Sequence, residues 1–256
     1  MLILISPAKK LDGSSPPPVA DHSTPQFLAR TGILIQELRK LSHADLRRLL
    51  QLSPKLADIA FERHLRLSTE PGPANAKQAV FAFAGDTYIG LRAHSLSRAD
   101  LAFAQDHLRI FSALYGLLRP LDLMQPYRLE MATKLPNPSG GDLYDFWEET
   151  LGEAVNNALG RVEGPMINLA SREYFSAIKK AQPSPGIITP VFKEERGGSY
   201  RVLPLFAKRA RGMMARYIVQ NRLREVESLK NFDRAGYRFS PEASSQTELV
   251  FLRDQG

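Results

Sequence analysis

Leu2–Ile5 is an unbroken run of four apolar residues stopped by Ser6-Pro7, and branched side chains in succession ended by a proline predict a short buried strand. Runs rich in branched or aromatic residues and bounded by Gly, Pro or charge predict further strands at Ala79–Gly85, Met166–Ala170, Ile187–Phe192, Tyr200–Pro204 and Glu248–Leu252. Elsewhere the apolar period lengthens. Phe27, Leu28, Ile33, Leu34 and Leu38 recur with helical spacing over about residues 24–40, with Gly32 weakening the pattern. Ser42 with Asp45 three residues on, and Ser53 followed by Pro54, signal the starts of two short helices, Ser42–Leu50 and Pro54–Leu67, which predict a tight helical hairpin. Longer helices are expected at about 97–114, 143–159 and 204–224. The proline-rich stretch Gly13–Val19 is expected to be a stiff surface loop.

Helices and strands alternate here without a regular βαβ period, and no repeat, charge block or linker divides the chain. An α+β (irregular α/β) fold in a single compact domain over residues 1–256 follows, rather than a doubly wound sheet. At 256 residues and 43% apolar composition the chain can bury a substantial core.

Charge sharpens the reading of one helix. Thirty-four Lys and Arg against 27 Asp and Glu leave a formal +7, a balance that favours polyanionic partners. Phe206–Arg224 holds Lys208, Arg209, Arg211, Arg216, Arg222 and Arg224 without one acid. At about 100° per residue, Lys208, Arg209, Arg211, Arg216 and Arg222 share one arc of about 160°, opposite Ala210, Met213, Met214, Tyr217 and Ile218. Either acids from elsewhere, such as Asp122 or Glu130, neutralise this face, or it lines an anion site; a single-sign face favours the anion site.

Common catalytic signatures are missing. The chain has no cysteine, which removes thiolate chemistry, disulfides and cysteine-held metal, and fits a reducing compartment. The phosphate-loop, dinucleotide-turn and nucleophile-elbow motifs do not occur. Ser6-Pro7-Ala8-Lys9 matches the serine–lysine pattern S-x-x-K but follows a strand and contains proline, a poor setting for that pair. His22, His43, His64, His94 and His107 lie too far apart for a local metal comb, so neither a metal nor a cofactor is expected. The opening MLILI is too short for a signal-peptide core or a membrane span, so a soluble cytoplasmic protein without a membrane partner is expected.

Two segments carry candidate chemistry. In Tyr115–Met131, two X-Pro breaks set Arg119 and Arg128 beside Asp122 and Glu130, which suits either a structural ion-pair loop or a cleft wall offering Arg to an anion. In Leu41–His64, Lys55 stands in the first turn of the second helix with Arg47, Arg48 and Arg63 flanking, an arrangement that can present free amides and cations to a phosphate. A helix-hairpin-helix grips the DNA backbone in this way, although Leu52-Ser53-Pro54 lacks the glycines that let backbone approach backbone. An ordinary hairpin packing its leucines inward is the alternative.

Several long motifs in order, SPAKKLD at Ser6–Asp12, GDTYIGL at Gly85–Leu91, Leu114–Met131, INLASREYF at Ile167–Phe175 and KRARGMMARYI at Lys208–Ile218, resemble the peroxide stress protein YaaA family over nearly the whole chain. The resemblance implies a cytosolic bacterial protein of the hydrogen-peroxide response that limits oxidative damage and free iron. It also implies a single domain with a sheet wrapped by helices, an embedded helix-hairpin-helix-like element at about 41–64, and a basic cleft that binds double-stranded DNA. Carried onto this chain, the DNA-binding candidates are Lys9, Arg47, Lys55, Arg63, Lys208, Arg209, Arg211, Arg216 and Arg222, with Arg119, Asp122, Arg128 and Glu130 as a possible anion or ion-pair network. Sequence-independent DNA binding by a monomer is the expectation. The alternative is an enzyme acting on nucleic acid or a small anionic substrate in the same cleft. A continuous basic groove would favour DNA; a closed pocket with converging Arg and acids would favour the enzyme.

Overall fold

The computed structural model describes residues 1–181 and 186–254; residues 182–185 and 255–256 of the expected 1–256 domain lie outside them. The chain runs through β1 (Leu2–Ile5), α1 (Leu28–Arg39), α2 (His43–Leu49), α3 (Pro54–Arg66), β2 (Lys77–Gln78), α4 (Ala79–Ala82), α5 (Asp86–Leu91) and α6 (Arg98–His107). It continues through β3 (Leu108–Ser112), β4 (Gly116–Leu118), β5 (Leu123–Met124), α7 (Leu143–Leu159), β6 (Met166–Leu169) and α8 (Arg172–Phe175). The last elements are β7 (Ile187–Arg196), β8 (Ser199–Arg201), α9 (Pro204–Asn221), β9 (Arg238–Phe239) and β10 (Glu248–Arg253).

One mixed sheet organises this α+β chain, in the order β4-β3-β1-β6-β7-β10-β9, with β8 paired to β7. β3, β1, β6, β7 and β10 are mutually parallel, and β4 and β9 close the edges antiparallel. Every residue of Leu2–Ile5 is buried, as expected for a strand covered by helices on both faces. The core runs continuously from this strand to Trp147 and Phe146 of α7 on one side and to Met214 and Ile218 of α9 on the other.

Three expected elements differ, two of them because burial on all sides erases periodicity. Ala79–Gly85 is not a strand: α4 turns through Ala79–Ala82, all buried, and Phe83 beyond it makes a single bridge to Leu11. The helix expected over 97–114 ends at His107, and Leu108–Ser112 leaves it directly as β3, pairing in parallel with β1 through Ile3–Leu108 and Ile5–Ile110. Alanine-rich apolar runs are ambiguous between the two states until tertiary pairing decides. Residue 204 of the expected strand Tyr200–Pro204 instead begins α9, where a proline at the first helical position lacks only an N–H that would have no helical partner. α1 runs unbroken through Gly32.

α5 and α9 cross with almost no gap. A Cβ on Gly90 would lie 2.1 Å from the Arg209 carbonyl oxygen, and one on Gly212 would lie 1.8 Å from that of Thr87. These glycines let backbone meet backbone, which fixes where the side chains of α9 point.

Candidate anion-binding site

β1 and β6 are parallel neighbours with Ile5 opposite Leu169, so the segments that follow them, Ser6–Lys10 and Ala170–Ser171, leave the sheet side by side. Crevices beyond the carboxyl ends of parallel strands are where such sheets bind ligands. A cavity of about 360 Å³ lies there, walled by these segments, by Gly85–Thr87, by Tyr127–Glu130, by Glu173 and Tyr174, and by Lys208 and Arg211. Ser171 donates its backbone N–H to Ser6 Oγ at 2.8 Å, which ties the two strand ends together, and Tyr88 of α5 donates its hydroxyl to the Ser6 carbonyl at 3.1 Å. Burial raises the Tyr127 and Tyr174 pKa values, which keeps both phenols protonated as donors. Tyr127 shares a hydrogen bond with Ser112 at 2.8 Å.

Glu130 organises one wall, with Oε2 2.6 Å from Lys9 Nζ and Oε1 accepting from Arg128 at 3.0 Å. The Lys9 pair disposes of the serine–lysine pattern, because that ammonium is held by a carboxylate while the Ser6 hydroxyl is engaged with Ser171. The opposite wall is different. Arg211 has its stem packed in protein, burial lowers its pKa, and no nearby acid counters that effect. Neither Arg211 nor Lys208 has an ion pair or side-chain hydrogen bond among the described residues.

The expected single cationic face of α9 is therefore divided. Lys208 and Arg211 line the cavity; Arg209 turns toward Asp86, 3.9 Å away. Arg216 donates to the carbonyls of Leu91 and Arg92 at 3.0 and 2.9 Å, closing the C-terminus of α5. Arg222 lies one residue past the helix, in left-handed conformation with φ +49°, and pairs with Asp100 at 3.2 Å. Helical phase alone could not show this, since the backbone departs from the helix before Arg222 and the acid comes from α6.

The Arg119, Asp122, Arg128 and Glu130 network also splits in two. Arg119 donates from Nε and Nη2 to Asp122 Oδ1 at 3.1 and 2.9 Å, and its own N–H binds Oδ2 at 2.8 Å. With Ser23 adding a fourth bond at 2.6 Å, buried Asp122 is a structural anchor outside the cavity wall. Only Arg128 and Glu130 reach the cavity. Arg47, Lys55 and Arg63 lie away from it on the α2–α3 hairpin, with Arg47 donating weakly to the Leu52 carbonyl at 3.4 Å. Thr87, Ser171 and Tyr174 were not singled out from the sequence, and Ser6 was weighed only as half of a serine–lysine pair. The available signal for the two serines was their place beyond two buried strands, Ser6 directly after Leu2–Ile5 and Ser171 two residues after Met166–Leu169.

Fold and site together define a mixed-sheet protein with a cation-rich cavity at its central strand ends. The profile of a family described as "Peroxide stress protein YaaA" matches residues 1–243. A UPF0246 protein of Alteromonas mediterranea is 53% identical over 256 residues, covering 100% of this chain and 99% of the relative. One from Ralstonia nicotianae is 49% identical over 254 residues, covering 99% of each. The chain belongs to the peroxide stress protein YaaA family, which supports a role in the response to peroxide. Among the described residues no helix is long and apolar enough to cross a membrane.

Proposed function

We propose that the chain acts in the hydrogen-peroxide response as a cytoplasmic monomer that binds duplex DNA through phosphate contacts, largely independently of sequence, with lowered free iron an indirect consequence. The observation that carries this reading is the open start of α3. Ser42 caps α2 by accepting the Asp45 N–H, whereas Ser53, in the equivalent place, gives no side-chain hydrogen bond to the first turn of α3. Pro54 has no N–H to offer. The amides of Lys55 and Leu56 thus face outward at the positive end of a 13-residue helix, with the exposed Lys55 side chain beside them. Arg63 lies along the same helix, and neither it nor Lys55 has an acid partner among the described residues. Lys55→Glu is expected to weaken binding to unrelated duplexes alike, by about tenfold or more for a lost charge-assisted contact. Its melting temperature should hold, since an acid in the first turn suits the helix dipole. Anisotropy titrations at fixed salt measure this, and unchanged affinity would leave the hairpin as packing alone.

A second reading, an enzyme acting on nucleic acid or a small anionic substrate, is favoured by the cavity itself. Its wall brings Arg128, Arg211 and Lys208 together with Glu130 and Glu173 in a recess, the convergence that such chemistry requires.

A further inference from the structure

The cavity has an electrostatic bias that the Lys9–Glu130–Arg128 wall does not discharge. Five cationic side chains line it, Lys9, Lys10, Arg128, Lys208 and Arg211, against the three acids Asp86, Glu130 and Glu173, an excess of two positive charges. Glu130 is already shared between two of those cations, and Asp86 lies 3.9 Å from Arg209. Lys208 and Arg211 on α9 are thus left without an acid partner among the described residues. There Arg211, partly buried, carries a desolvation cost that no ion pair or side-chain hydrogen bond among the described residues offsets. A partly buried guanidinium in that condition is suited to a ligand that supplies the missing anion and both of its acceptors.

We propose that this cavity binds a phosphomonoester group, with Arg211 and Lys208 as its anchors and the Ser6, Ser171 and Thr87 segment as the polar floor. This rests on the second reading above and names its ligand class. A phosphomonoester carries a charge of about −1.5 to −2 at neutral pH, which matches the two cations Lys208 and Arg211, whereas a single carboxylate leaves one of them uncompensated. Size agrees as well: about 360 Å³ lies at the lower end of small-ligand pockets. Shape separates this site from the hairpin. Arg211 is recessed behind Lys208, which lies exposed three residues earlier on the same helix, so a phosphate on a small molecule or at a strand end can enter. A phosphate in mid-duplex is held between two sugars and stays at the surface.

The test is calorimetric titration of the full chain with inorganic phosphate, adenosine 5′-monophosphate, adenosine, succinate, and a duplex with or without 5′-phosphates. Binding of phosphate or the monophosphate, with adenosine silent, is expected. Arg211→Ala should weaken it about 10- to 100-fold, as for loss of a hydrogen-bonded charge. Because Arg211→Ala removes buried stem as well as charge, Arg211→Lys and the surface change Lys208→Ala serve as second variants. Each should weaken phosphate binding while the melting temperature without ligand stays near that of the parent. Preference for the monophosphate or for the 5′-phosphorylated duplex assigns the source of the group, and either supports the site. Phosphate binding that survives all three variants, or its complete absence, overturns the proposal. Succinate binding that depends on Arg211, in the absence of phosphate binding, would sink the phosphomonoester class and leave the anionic-substrate reading standing; no anion bound at all would sink both.

Discussion

His64 is 2% exposed near the C-terminal end of α3, its Nε2 accepting the Arg128 N–H at 3.3 Å and its Nδ1 buried without a hydrogen-bond partner. Burial lowers its pKa from the ordinary 6.5 to about 4, with Arg63 adding repulsion, and an N–H aimed at Nε2 is accepted only by the neutral ring. Between those two values the unfolded chain binds a proton that the folded chain refuses, so stability rises with pH across that window and is unaffected by this group above it. Melting followed from pH 7 to 4 should show a loss of about 3 kcal/mol assignable to His64, absent in His64→Gln. A His64→Gln profile parallel to that of the wild type would mean that the ring is hydrated and titrates freely. The carboxylates with lowered pKa values, Asp12, Asp100 and Asp142, act in a lower range, with acid loss beginning only as pH approaches 3.8. At this scale the sequence was uneven evidence. Arg119 and Asp122, three residues apart, could be grouped in one candidate network though not paired; the His64–Arg128 bond, 64 residues apart, left no signal at all.

Helix α9 shows what an element's sequence can and cannot declare. Its helical character and its buried Ala210, Met214 and Ile218 were legible from the period, and its lack of acids from composition, but its end at Asn221 rather than at 224 was not. Its neighbour was not legible, for α5 has only six residues and the crossing depends on two glycines 122 residues apart. Placing Gly90 against Arg209 and Gly212 against Thr87 sends Arg216 to the α5 carbonyls and Arg211 into the cavity, so the division of the cationic face follows from that close approach. Gly212→Ala would normally gain up to about 1 kcal/mol of helix propensity. Here a Cβ 1.8 Å from a carbonyl oxygen must force the helices apart, and a net loss of about 2 kcal/mol or more in urea unfolding is expected. Gly32→Ala in α1 is the matched contrast. Its Cβ would meet only the Thr69 methyl at 3.0 Å, a side-chain tip that can rotate away, so a near-neutral or stabilising change is expected. Equal losses at both sites would show that the α5–α9 contact tolerates widening.

Across the whole molecule, a formal +7 says nothing by itself about where a polyanion would sit, and the ion pairs decide which cations remain available. Lys9, Arg209 and Arg222 face acids, Arg216 caps a helix, and Arg211 is recessed, which leaves Arg47, Lys55, Arg63 and Lys208 among the nine candidates to meet a duplex from outside. The parallel core that creates the cavity was beyond the sequence reading, because β3 was hidden in a helical pattern and strand order is a non-local property. Salt dependence tests the resulting partition. Four phosphate contacts correspond to a slope of log K against log salt of roughly −3 to −4. Replacing both Lys55 and Arg63 with alanine should flatten the slope by about two units, since each cation that meets phosphate releases about one counterion equivalent. Replacing Arg216 and Arg222 instead should leave the slope alone and lower the melting temperature, because their partners are the Leu91 and Arg92 carbonyls and Asp100 rather than DNA. Arg211→Ala should likewise leave the slope unchanged while weakening phosphate binding in the cavity about 10- to 100-fold. If the Arg216 and Arg222 pair flattens the slope and the hairpin pair does not, DNA lies along α9, and the hairpin is an ordinary packed pair of helices.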